Sequence, residues 1–64
     1  MKRRNLLRHL EKYGCYLLRE GAKHSVYRNK NTGEQASVPR HNEVDNATAR
    51  AICRKLGVLL PSEK

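Results

Sequence analysis

His24 is the first residue of this chain to which chemistry can be assigned. It stands in "REGAKHSVYRN", residues 19–29, three positions after Gly21 and among Arg19, Lys23 and Arg28. A neutral imidazole can take up a proton near pH 7. If an RNA phosphate lay against these cations, the adjoining 2′-hydroxyl would be the proton source. The cations would then stabilise the extra charge of a pentacoordinate transition state. Gly21 lets another backbone approach closely. His41 follows Arg40 in "SVPRHN" and reads first as a solvated loop histidine. Even so, His41, Lys23 and Tyr27 are the groups at hand to protonate a leaving 5′-oxygen. The plain alternative for His24 is a hydrogen-bonded histidine at a sheet edge.

Other chemistries find less support. Glu11, Glu20, Glu34, Glu43, Asp45 and Glu63 are scattered through the sequence. Nucleases that depend on Mg²⁺ hold it with several carboxylates, and no such cluster is readable here. Cys15, Cys53 and three scattered histidines lack the ligand spacing of a zinc site. No phosphate-binding glycine loop, dinucleotide fingerprint or Ser-His-Asp arrangement is present. The expectation is a site without metal or small-molecule cofactor. RNA is the expected substrate, because DNA lacks the 2′-hydroxyl.

These residues have to be positioned by a small scaffold. With 64 residues the chain is one domain, residues 1–64, with a thin core. Leu6, Leu7, Leu10 and Tyr13 recur at helical spacing and Gly14 follows as a C-cap, which predicts a helix over residues 3–13. Its other face carries Arg3, Arg4, Arg8, Glu11 and Lys12, and His9 faces out. Lys2, Arg3, Arg4 and Arg8 gather at one end as a phosphate-facing patch, against the helix dipole. "CYLLRE" is a strand that Gly21 breaks, and "KHSVYR" is a second. "NKNTGE" is a turn, and "QASVPR" is a third strand stopped by Pro39. Asp45 or Asn46 caps a second helix, which buries Ala49, Ile52, Cys53 and Leu56 and ends at Gly57. Val58 and Leu59 then fold back onto the core. The prediction is an α+β, two-layer α-β-β-β-α sandwich, with a three-stranded antiparallel sheet and both helices on one face. Alternation puts His24, Val26 and Arg28 on one side of the second strand, with Lys23, Ser25 and Tyr27 on the other. It leaves open which side is core, and His24 is expected at the rim, beside solvent.

Charge narrows the partners. Fourteen Lys and Arg against six Asp and Glu give a net charge of +8, a surface that attracts polyanions. Nucleic acid fits best. A membrane surface fits poorly, since neither helix has apolar residues to spare for lipid. No stretch reaches the roughly 20 apolar residues of a membrane span. "MKRRN" does not lead into an apolar signal region, because Arg8, His9, Glu11 and Lys12 interrupt it. Cys15 and Cys53 fall at apolar positions and read as buried thiols of a cytoplasmic protein.

"LLRHLEKYGCYLLREGAKH", "GAKHSVYR", "SVPRH" and "ATARAICRKLGV" together resemble the HicA-type toxins of bacterial toxin–antitoxin pairs. The resemblance runs from Leu6 to Val58. It implies a fold like that of a double-stranded-RNA-binding domain, mRNA interferase activity, and a HicB-type antitoxin that covers the active site. The family's active-site histidine falls on His24 and its glycine on Gly21. Many members have serine where this chain has Ala22. The expected site is therefore catalytic His24, with Gly21, Lys23, Arg28, Arg19, Arg40 and His41 binding RNA. Two rival readings stand beside it: a non-catalytic RNA-binding module of the double-stranded-RNA-binding type, and, more weakly, a DNA-binding domain.

Overall fold

The computed structural model describes residues 1–60. The elements follow the order α1 (Arg3–Lys12), β1 (Cys15–Glu20), β2 (His24–Asn29), β3 (Gln35–Pro39) and α2 (Asn46–Leu56). The strands form an antiparallel meander with β2 in the centre. Cys15, Ser25, Tyr27, Asn29, Ala36 and Val38 are buried on one sheet face, beneath Leu6 and Leu10 of α1 and Ala49, Ile52, Cys53 and Leu56 of α2. Both helices therefore cover one face, as the sequence predicts. The opposite face, with Tyr16, Val26, Arg28 and Ser37, is left open.

Alternation now has its sign. Ser25 and Tyr27 point to the core, and His24, Val26 and Arg28 belong to the open face. Ser25 and Asn29 are buried polar residues that both find partners. The Asn29 amide donates to the Leu56 carbonyl (2.7 Å) and so holds the end of α2, while Asn29 Oδ1 accepts from the Asn31 N–H (2.8 Å). Gly57 closes α2 in the left-handed conformation at φ 73°, which a side chain would strain.

Four expectations need correction. His9 does not face freely outward; its Nε2 lies 2.7 Å from the Leu59 carbonyl and its ring packs against Tyr13. That link tethers the backbone after α2, yet Leu59 itself stays 68% exposed and only Val58 packs on the core. The rest of the predicted tail, residues 61–64, lies outside the described residues. Asp45 is the N-cap of α2, but its carboxylate makes no bond to the helix backbone and accepts instead from the Thr48 hydroxyl (2.7 Å). Tyr27 is 5% exposed on the helical face, so it is not available to a group reacting at His24.

β1 holds one irregularity. Its register with β2 shifts between Leu17 and Arg19, so that Leu17 pairs with Tyr27, Arg19 with Val26 and Glu20 with Ser25. This is a bulge, one extra residue against its partner strand. Without it Arg19 would face Ser25; with it Glu20 does.

Candidate functional site

Residues around the β1–β2 turn and the end of β3 form one open cleft of about 400 Å³, lined by Lys23, His24, Pro39, Arg40 and His41. Strand pairing builds it. His24, the first residue of β2, pairs with Pro39, the last of β3. The chain leaving β3 therefore carries Arg40 and His41 past the histidine. Pro39 ends the ladder because it has no N–H to give.

The turn that carries Lys23 and His24 is closed by a hydrogen bond from the Gly21 N–H to the His24 carbonyl (2.8 Å). A Cβ at Gly21 would stand 3.0 Å from that same carbonyl oxygen. The close approach favours glycine, since a side chain would have to push that backbone back by a few tenths of an ångström. Arg40 Nη1 donates to the Gly21 carbonyl (2.9 Å) and lies 3.2 Å from Glu20 Oε2. The Ser25 hydroxyl, next to His24 in sequence, donates to the Glu20 carboxylate (3.1 and 3.2 Å). It also accepts from Arg3 Nη2 (2.9 Å), and Arg3 Nε donates to the Pro39 carbonyl (2.8 Å). The chain of contacts Arg3–Ser25–Glu20–Arg40–Gly21 thus ties the start of α1 and both central strand ends to the turn.

Of the sequence-predicted site residues, Lys23, His24, Arg40 and His41 come together, with Gly21 just beneath them. Lys23 and His41, two of the expected proton-transfer groups, line the cleft; Tyr27 does not. Arg19 and Arg28 are not in it. Arg19 is exposed opposite Val26 on the open face. Arg28 lies four residues along β2 from His24, roughly 13 Å at the rise of a strand, near Gly33 of the hairpin loop. The predicted basic patch on α1 also divides. Arg3 turns inward to Ser25 and Pro39, and Lys2 pairs with Glu43 (3.2 Å). Lys2, Arg3, Arg4 and Asn42 line a second cleft of about 330 Å³, and Asn42 follows His41 of the first in sequence. Glu20 and Ser25 were not readable as site residues, and Arg3 was readable only as part of a phosphate-facing patch, not as the partner of Ser25. Their types carry no motif, and the bulge that turns Glu20 toward Ser25 hides them from alternation.

Among the described residues no three His, Cys, Asp or Glu side chains gather as a metal-binding group. No helix of the described residues is long and apolar enough to cross a membrane.

The family model described as "HicA toxin of bacterial toxin-antitoxin" matches residues 3–58. No curated protein and no solved structure matches the chain. The matched span takes in both helices, all three strands and every residue of the His24 cleft, so this chain belongs to the HicA toxin family of bacterial toxin–antitoxin systems.

Proposed function

We propose that this toxin is a metal-independent endoribonuclease that cleaves mRNA in the His24 cleft. The observation that carries the reading is an exposed histidine sharing one open cleft with Lys23, Arg40 and His41. The His24 imidazole takes the proton of a ribose 2′-hydroxyl. The 2′-oxygen then forms a bond to the adjacent phosphorus, and the bond from phosphorus to the 5′-oxygen breaks. Lys23 or His41 gives that oxygen its proton. The products are a 2′,3′-cyclic phosphate and a 5′-hydroxyl. Arg40 and Lys23 meet the growing negative charge on the phosphoryl oxygens. Arg19 and Arg28, on the open sheet face, bind flanking phosphates. The partner is a HicB-type antitoxin that occupies the same cleft and so excludes RNA, and the toxin acts in the cytoplasm.

The test is single-turnover cleavage and equilibrium binding on one RNA. His24→Ala should lose the general-base contribution, about 10² to 10⁴ in rate, and keep most binding, since Lys and Arg hold the permanent charge. Cleavage should survive EDTA. Equal rates for parent and folded His24→Ala would remove His24 from the chemistry. Binding without cleavage by either protein would favour the RNA-binding module instead. Loss on chelation, restored by Mg²⁺, would refute the metal-free mechanism.

A further inference from the structure

Glu20 stands in an awkward place for a protein that binds a polyanion. It is one of six acidic residues in a chain of net charge +8, and it sits beside the cleft where a phosphate would lie. A half-exposed ion pair such as Glu20–Arg40, with side-chain exposures of 45% and 47%, adds little to stability. Its geometry suggests another use. The carboxylate is itself held by the Ser25 hydroxyl, on a residue only 1% exposed, and Ser25 is held by Arg3. From that anchored position Glu20 takes one corner of Arg40. Among the described residues both contacts of Arg40 are made through Nη1, to Glu20 and to the Gly21 carbonyl. Nη2 and Nε are left to a ligand, and a guanidinium fork offers them at fixed angles.

We propose that Glu20 is a positioning residue. It orients Arg40 toward the phosphate of a bound RNA and, through Ser25 and the Gly21 carbonyl, fixes the turn that carries His24. The inference rests on the RNA-cleavage reading. It makes two demands that oppose each other in sign. As a negative charge, Glu20 weakens RNA binding. As an anchor, it speeds the chemical step.

Glu20→Gln therefore separates the two effects. RNA should bind as tightly as to the parent or more tightly, while single-turnover cleavage slows by about 10- to 10²-fold, the size expected for misplaced reacting groups. Glu34→Gln removes the same charge from the distant hairpin loop and should leave the rate unchanged. Arg40→Ala should slow cleavage, and Glu20→Gln should then add nothing further, since the two act as one unit. In ¹⁵N NMR the Gly21 and His24 amide signals should move in Glu20→Gln and stay in place in Glu34→Gln. A Glu20→Gln protein that binds more tightly and cleaves at the parental rate, or faster, would reduce Glu20 to a surface charge. Should Glu20→Gln fail to fold, Arg40→Lys decides, because it leaves the Ser25–Glu20 contact alone. A slower rate with binding kept supports the fork, and an unchanged rate overturns it. If the parent cleaves no RNA, the functional reading falls by itself, and unmoved Gly21 and His24 amides in Glu20→Gln would overturn the anchoring as well.

Discussion

Gly21 and His24 meet through the backbone, and that contact makes a sharp demand on one residue. The Gly21 N–H and the His24 carbonyl are 2.8 Å apart, and a Cβ at Gly21 would meet that carbonyl at 3.0 Å. The obstacle is backbone, which cannot swing aside as a flexible side-chain end can. Gly21→Ala should therefore push the turn open by a few tenths of an ångström without reaching the core. The expected result is a folded protein whose RNA binding is close to parental and whose single-turnover rate falls about tenfold or more. A parental rate in that variant would mean that the close approach is not needed for cleavage. At this scale much was legible. An imidazole among cations and a glycine three residues before it are marks that residue types carry by themselves. The supporting polar contacts were not legible, because Arg3 and Ser25 are 22 residues apart in sequence.

The strand, rather than the residue, decides which side chain Ser25 meets. Its cross-strand partner is Glu20 only because β1 carries an extra residue between Leu17 and Arg19. In a regular ladder Arg19 would take that place, and a second guanidinium would face the Ser25 hydroxyl beside Arg3. Deleting Leu18 would remove the extra residue itself and still leave Glu20 opposite Ser25, so the contact is tested at the hydroxyl. Ser25→Ala takes away the group that joins Arg3 to Glu20. The expected loss is about 1–3 kcal/mol, the scale of an unmet buried polar group, read from urea denaturation. Leu18→Ala, at a residue 38% exposed, should stay within about 0.5 kcal/mol of the parent. Equal stability of the two variants would deny the Ser25 contacts their role. Element order and boundaries could be read from periodicity, because Leu6 and Leu10, and Ile52 and Leu56, mark their helices plainly. The bulge could not be read. Leu17 and Leu18 are both apolar, so alternation has no phase to slip. The core side of β2 was equally silent: on one and the same face Val26 argues for core and Arg28 for solvent. The helix ends break the tie, as Arg3 satisfies Ser25 and the Leu56 carbonyl satisfies Asn29.

At the scale of the whole molecule, the thin core contains, among the described residues, three ionisable groups that are neutral when protonated: Cys15, Tyr27 and Cys53. Burial pushes all three pKa values up; the neighbouring Cys15 adds to the rise at Cys53, and Glu11 to that at Tyr27. A group whose folded pKa is raised contributes stability that is complete below its unfolded value. That contribution is lost as pH rises past the unfolded value and through the folded one. The unfolded values are about 8.5 for a thiol and about 10 for tyrosine. Thermal stability should therefore be level from about pH 6.5 to 8, fall from about pH 8.5 as the thiols ionise on unfolding, and fall faster near pH 10. An opposing effect acts over the same range, since titrating lysines relieves the self-repulsion of a strongly positive chain. A variant separates the two. Cys53→Val removes one thiol and leaves the surface charge as it was, so its melting temperature should decline less steeply than the parent's between about pH 8.5 and 9.5. Parallel curves for parent and variant would show that the Cys53 thiol does not drive the alkaline loss. The same burial should make both free thiols slow to react with a thiol reagent in the native protein. Their reaction should follow unfolding, because the thiolate is the reactive form and burial withholds it.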